Sequence, residues 1–346
     1  MNIAESKLQF KMPAGLRLTA LILMGVGLLT LALQVVFPWH SHGADGVSHS
    51  RLYMSSYLAI LFGIFLVAGA IFLAAIAHVG GAAWVVTIRR LIENYVWFLP
   101  VLILLLALLF AFGFDDLFSH WTRAKPDDHL INHKKAWLDK EFFIGRNLAA
   151  LVLWVVFGFI FYRMSVAQDE HGDVSTTRKL ARISAGFLVV FALTYCMSSW
   201  DLTMSLEPHW FSTMWAVYMF AGTGLSVYAS VILWIWYLKK QGYYGETLNE
   251  NHLHDVGKYL WGHTIFWGYI AVSQFLLIWY SHIPEETIFY SIRGGYKWES
   301  GWAYVSFLLP ILRFVLPFFL IIKRESKRNF NYMAGIAVLI LVGQVV

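Results

Sequence analysis

The chain has 346 residues, of which 59% are hydrophobic and 14% charged, and its formal net charge is +5. A soluble domain carries about 25% charged residues, so this composition excludes a single water-soluble core and points to an integral membrane protein. The positive balance needs no nucleic acid to explain it, because Lys and Arg collect in the cytoplasmic loops of membrane proteins. The one cysteine, Cys196, excludes an internal disulfide, a cysteine-ligated iron–sulfur cluster and a thiolate zinc site.

Taken in chain order, the first apolar run is Leu18–Phe37. At about 20 residues it is too long for a signal-peptide core and right for a membrane span. Further runs of about 17–26 residues predict helices near 17–37, 53–78, 95–113, 144–164, 180–198, 211–237, 256–281 and 301–322. The segment Trp84–Asn94 (WVVTIRRLIEN) reads as a short interfacial helix or an extension of the third span. A ninth helix begins near Asn331 and is still apolar at Val346. Its reach of roughly 24 Å falls short of a ~30 Å hydrocarbon core, so the natural polypeptide is expected to continue. No soluble insertion and no short-period repeat interrupts the pattern. The expected fold is all-α, a polytopic membrane helix bundle forming one domain over residues 1–346.

Orientation follows from Lys and Arg. Sixteen of them, among them Arg89, Arg90, Lys239, Lys240, Lys323 and Arg324, fall on the side of the N-terminus, and nine on the other. The N-terminus is therefore expected to be cytoplasmic. Loops 38–52, 114–143, 199–210 and 282–300 then face the periplasm or the exterior. The 114–143 loop is long enough to pack against an extrinsic partner.

The histidines give no matched pair at equal depth, which argues against a b-type haem. His40, His42 and His49 (WHSHGADGVSHS) resemble a metal cluster, but a loop facing outward is the preferred reading. No phosphate-binding loop, dinucleotide fingerprint or nucleophile elbow stands in a plausible context.

The ionisable residues near the span ends form two sets. The outer set is Asp115, Asp116, Asp201, Glu207, His209, His282, Glu285 and Glu286, an acidic mouth drawn from several helices. The inner set is His78, Glu93, His254 and Asp255, with His263 deeper in its span. Arg313 lies midway along the eighth span between Pro310 and Pro317. A lone guanidinium there costs about 2.5–3.5 kcal/mol on insertion scales. It needs a carboxylate, a carbonyl freed by the prolines, or a ligand oxygen.

This pattern suits quinone chemistry. A quinol is an apolar carrier of two electrons and two protons, and its site needs aromatic walls and a protonatable group near each oxygen. Trp200, Trp210 and Phe211 beside the outer acids meet that need. A proton route needs a ladder of polar side chains, and Tyr195, Ser198, Ser199, Ser273 and Gln274 stand between the two sets. The simpler alternatives are that Asp201 and Glu207 cap helices or face water, that His254–Asp255 caps the seventh helix, and that Arg313 makes a structural ion pair.

The stretches SWDLTMSLEPHWFSTMWAVYMFAG and HDVGKYLWGHTIFWGYIAVSQFLLIWYSHIPEET resemble the quinone-binding-type membrane subunits of alternative complex III, within the NrfD/polysulfide-reductase superfamily. The runs Ser205–Thr213 and Trp279–Thr287 point to the shorter of the two subunit types. The resemblance covers about residues 15–346. It implies ten helices, two four-helix bundles plus peripheral helices, of which about nine are visible here. It implies no covalently bound cofactor in this subunit, a quinone (menaquinone expected) as ligand, and haem and iron–sulfur clusters in partner subunits. Those partners are a longer NrfD-like paralogue, an iron–sulfur subunit and multihaem cytochromes c, with a terminal oxidase or soluble electron carrier downstream. The longer paralogue is the expected seat of quinol oxidation in such complexes, and the shorter subunit is expected to contribute quinone interaction, proton translocation or both.

Two other classes stay open on the residues alone. A secondary transporter or ion channel would use the same acids and Arg313 on a solute, although neither an inverted repeat nor paired broken helices is visible. A scaffold would use its polar residues to hold partners together.

Overall fold

The computed structural model describes residues 12–36, 40–42, 48–294 and 301–345. Lys7, Lys11 and Lys297, which entered the charge count, lie outside the described residues. The chain is an all-α bundle. Its long helices are α1 (Ala14–Val36), α2 (Arg51–Val79), α3 (Leu99–Leu117), α4 (Lys140–His171), α5 (Val174–Leu202), α6 (Trp215–Lys240), α7 (Glu250–Ser281), α9 (Gly301–Ile321) and α10 (Phe330–Val345). A shorter helix, α8 (Pro284–Gly294), lies between α7 and α9. Among the described residues, seven helices are long and apolar enough to cross a membrane, so the protein is a multi-pass membrane protein. Two three-residue strands, β1 (His40–His42) and β2 (Ser48–Ser50), pair antiparallel ahead of α2 and carry the three histidines flagged above.

Local chemistry sets the helix ends. Asp139 caps α4 by accepting from the Phe142 amide at 2.9 Å, and Gly172 ends it in the left-handed conformation, φ 63°. Asp173 caps α5 through the Ser175 amide at 2.8 Å. Asn249 caps α7 in a reciprocal pairing with His252, so the cap lies five residues before His254, and His254 and Asp255 sit inside the helix instead of capping it. Short polar side chains at these positions satisfy amides that have no partner within the helix. Two stretches expected as loops or as one helix are otherwise. Residues 284–294 form a helix, with Pro284 leading and Glu285 and Glu286 in the first turn, where the dipole favours them. The eighth predicted span is broken by a π-helical turn at Ile311–Val315, directly after Pro310. Trp84–Asn94 is an extension of α3 through short turns, and does not run as one straight helix.

The helices sort into two groups of four. One is α2, α3, α4 and α5; the other is α6, α7, α9 and α10. The groups meet where α6 packs on α2 and α5, and α1 lies outside against α2. This is the two-bundle arrangement with a peripheral helix expected above. The seams are buried: Tyr57, Ile64, Leu99, Phe143, Trp154 and Phe187 are fully enclosed. The outward faces stay apolar, with Phe112 at 77%, Leu193 at 72% and Leu277 at 67% exposure. That reversal of the soluble pattern is what lipid contact requires.

Since lipid tails are as apolar as the helices, close approach and packing drive association. Gly69 on α2 shows how tight the α2–α6 seam is. A Cβ there would lie 2.5 Å from Thr223 Cγ2 and 2.6 Å from Val227 Cγ2. Gly69→Val is therefore expected to lower the unfolding temperature in detergent, with an overpacking penalty of ~1–3 kcal/mol. An unchanged melting curve would show that the seam can widen.

Candidate functional site

The ends of the bundle differ in chemistry and are called here the Glu207 end and the Glu93 end. At the Glu207 end α5 stops at Leu202, and one 3-10 turn, Met204–Leu206, leads into Glu207 and Pro208. Polar and aromatic contacts hold this crossing. Thr203 Oγ1 accepts from Trp215 Nε1 at 2.6 Å, and Ser205 donates to the Asp201 carbonyl. Trp210 stacks on Phe289 of α8 with ring centres 4.2 Å apart.

Beneath the crossing lies a cavity of about 460 Å³, within the range of small-molecule sites. Its apolar walls include Met54, Leu58 and Leu61 of α2, Leu117 of α3, Met204 and Leu206, Trp215 and Met219 of α6, and Phe289 of α8. Polar groups reach it from four places: Ser119 and His120 after α3, Thr203 at the end of α5, Glu207 with Trp210 in the crossing, and Arg293 on α8. Glu207 is half-buried. Trp210 is 3% exposed, and its indole N–H is buried without a hydrogen-bond partner. Trp210 thus lends its ring to the cavity wall, and its enclosed N–H is a donor with no partner in the protein. Arg293 donates from Nη1 to the Phe289 carbonyl at 2.8 Å, and its guanidinium lies 3.6 Å from the centre of the Phe289 ring. Burial pushes the Arg293 guanidinium below its ordinary value, opposed by the charge of Glu207. An apolar box with one carboxylate, one guanidinium, one imidazole and one orphan N–H can bind a flat, mostly apolar molecule bearing oxygens. It can also exchange protons with such a molecule.

Asp201, two turns before Glu207, does not line this cavity. Its carboxylate is 1% exposed and takes four donors. Arg146 binds it through Nε to Oδ2 at 2.6 Å and Nη2 to Oδ1 at 2.9 Å. Trp137 Nε1 adds 2.8 Å to Oδ1 and Asn147 Nδ2 adds 2.8 Å to Oδ2. Four donors saturate a carboxylate. The Arg146 guanidinium is further stacked 4.2 Å over Trp137 and 4.7 Å over Phe142. This is a latch joining α4, α5 and the segment before α4.

Two of the other outer acids are paired rather than pooled in an open mouth. Asp115 meets Lys140 at 2.9 Å and Asp116 meets Arg123 at 2.7 Å. His209 is exposed and meets Asp128 Oδ2 at 2.7 Å. The Ile131 amide and then His209 hold the Asp128 carboxyl below its ordinary value. Lys134 donates to the Pro208 carbonyl at 2.7 Å. The 114–143 segment is thus tied to the crossing by its own residues. His282 ends α7 in the left-handed conformation, φ 49°; it and Glu285 are exposed, with Glu286 half-buried.

At the Glu93 end the structure brings His78 and Glu93 within 3.9 Å, together with Arg89, Arg90 and Asp169. Asp255 pairs with Lys258 one turn on, at 2.8 Å, and His254 precedes it in α7. His263 Nδ1 meets the Tyr259 carbonyl at 3.0 Å, and a Cβ on Gly224 would lie 2.1 Å from its ring. Between the two ends, Tyr195 is buried with its hydroxyl 2.8 Å from Thr223 Oγ1, and Gln274 is buried on α7. Arg313 found one of the expected partner types from an unexpected source. Its Nε donates to the Gly343 carbonyl of α10 at 2.6 Å, not to a carbonyl released by Pro310 or Pro317.

Sequence reasoning missed His120, Arg293 and Met54 at the cavity, and Arg146, Trp137 and Asn147 around Asp201. The signal for Arg293 was its spacing of four from Phe289 on an amphipathic stretch. For Arg146 it was a cation inside the first two turns of a membrane helix, which has to find a counter-charge. A scan against models of known protein families finds none that matches this chain, and a search of curated proteins finds no match.

Proposed function

We propose that the chain is the shorter membrane subunit of a quinol:cytochrome c oxidoreductase of the alternative complex III type, and that the cavity at the Glu207 end takes a quinone ring. The observation that carries this reading is the cavity itself: apolar and aromatic walls, with Glu207, His120, Arg293 and Trp210 among its lining residues. In this reading Glu207 accepts a proton from one quinol hydroxyl. The Trp210 indole N–H and Arg293 hold the other oxygen. His120, exposed at the rim, accepts the proton of the other hydroxyl and passes it to water. Quinol supplies two electrons and two protons; the electrons leave to an iron–sulfur subunit and multihaem cytochromes c, and then to an oxidase or a soluble carrier. In this reading the membrane is a bacterial inner membrane, with the N-terminus cytoplasmic and the cavity at the periplasmic side, an orientation that the excess of Lys and Arg at the other end of the bundle supports. The longer NrfD-like paralogue packs alongside in the membrane.

The test is photolabelling of the intact complex with an azido-quinone. Crosslinks are expected on Met204, Trp210 or Met219, displaced by excess menaquinone analogue. Met219→Trp, which fills the cavity, is expected to abolish them. Labelling confined to other subunits, or undiminished in Met219→Trp, overturns the assignment.

A further inference from the structure

Three buried polar atoms at the Glu93 end face one another without touching. Glu93 Oε1 lies 3.9 Å from His78 Nε2 and 3.9 Å from Arg89 Nε, beyond hydrogen-bond range. None of the three atoms has a hydrogen-bond partner. The Glu93 side chain is 1% exposed and that of His78 9%. Buried polar groups are normally satisfied, and separations of this size are those a single water bridges. Such a water accepts from Arg89 and donates to Glu93, while His78 Nε2 takes whichever role its tautomer sets.

The surroundings turn this from a packing detail into a proton site. Glu93's other oxygen is bound by Arg90. Arg90 also donates to Ser165 Oγ at 2.8 Å and, like Arg89, pairs with Asp169 of α4. Two guanidinium groups face two carboxylates, so the cluster is balanced while Glu93 is ionised and His78 is neutral. Asp169 is 55% exposed and Glu93 is enclosed, so one end of the cluster meets bulk water and the other points into the bundle. Two residues on, Tyr95 hydrogen-bonds Ser230 of α6 at 2.8 Å.

We propose that His78, Arg89 and Glu93 hold a water molecule through which Glu93 takes up and returns a proton, making this cluster a proton-loading site. The bound water gives a proton to Oε1 as it receives one from a hydronium ion of bulk water. The carboxylate becomes a carboxylic acid and no electron moves. Arg90 keeps Oε2 in place, and Asp169 remains the counter-charge of both guanidinium groups. The inference rests on the multi-pass membrane fold and not on which ligand fills the cavity.

The test is infrared difference spectroscopy of the full chain in its complex across a pH jump. A carboxylic acid C=O band that shifts in heavy water is expected, lost in Glu93→Gln and displaced in frequency in His78→Phe. Met219→Trp is expected to leave it unchanged, so this inference and the cavity assignment fail separately. A spectrum identical in wild type and Glu93→Gln overturns the proposal. Should Glu93→Gln not assemble, an experimental density map of the wild-type complex decides. A water peak between the three atoms supports the proposal, and direct hydrogen bonds closing the gap overturn it.

Discussion

Arg146→Leu is expected to destabilise the protein by about 3–5 kcal/mol, the penalty for leaving one partner of a buried ion pair uncompensated. The Asp201 carboxylate is 1% exposed and Arg146 supplies two of its four donors. Without Arg146 the charge retains only the neutral donors of Trp137 and Asn147. The stacking of the guanidinium on Trp137 and Phe142 is lost as well. Thermal unfolding in detergent reads the effect as a lower midpoint and a lower yield. The double variant Arg146→Leu with Asp201→Leu is expected to recover most of the loss, because an apolar pair of similar volume often replaces a buried ion pair without penalty. Equal midpoints for Arg146→Leu and wild type would sink the latch.

Glu207→Gln is expected to lower quinol-dependent cytochrome reduction by about 100-fold, the low end of what a positioned general base contributes, with no change in the unfolding midpoint. Glu207 is half-buried and acts on Arg293 through its charge, and glutamine keeps its side-chain shape beside that guanidinium, so the replacement breaks no packing contact that holds the fold. Glutamine keeps the shape and removes the basicity. Glu207→Asp, which keeps the carboxylate one methylene shorter, is expected to retain intermediate turnover. The contrast with Asp201 is the useful part: of two acids six residues apart, one is expected to govern stability and the other turnover. Wild-type turnover in Glu207→Gln would remove Glu207 from the proposed chemistry, whatever the cavity binds.

The two acids also show how far the sequence carries. Both stood in one polar stretch and looked equivalent. They diverge because α5 runs on to Leu202, which turns Asp201 back toward Arg146 on α4, while the turn at Met204–Leu206 carries Glu207 over the cavity. Arg313 behaved in the same way. The sequence required a partner for it and named the right classes, yet the carbonyl it uses lies on α10, 30 residues away. The acidic mouth was an inference from proximity to one membrane face. Lys140, Arg123, Arg146 and His209, from separate elements, instead pair with its acids or with neighbouring ones.

By itself the sequence determined the all-α bundle, the positions of its long apolar helices among the described residues and the clustering of ionisable groups at the span ends. Those properties are local: apolar length against bilayer thickness, caps within a few residues of each helix end, and the charge carried by each loop. The tertiary structure decided which acids are neutralised, which line a cavity, and which polar atoms meet at Glu93. Each of those outcomes joins residues on different elements of the chain: Arg146 with Asp201, Trp210 with Phe289, His78 with Glu93, and Arg90 with Asp169. A hydropathy profile has no term for such pairings, because they depend on how α2 to α6 rotate and pack against one another.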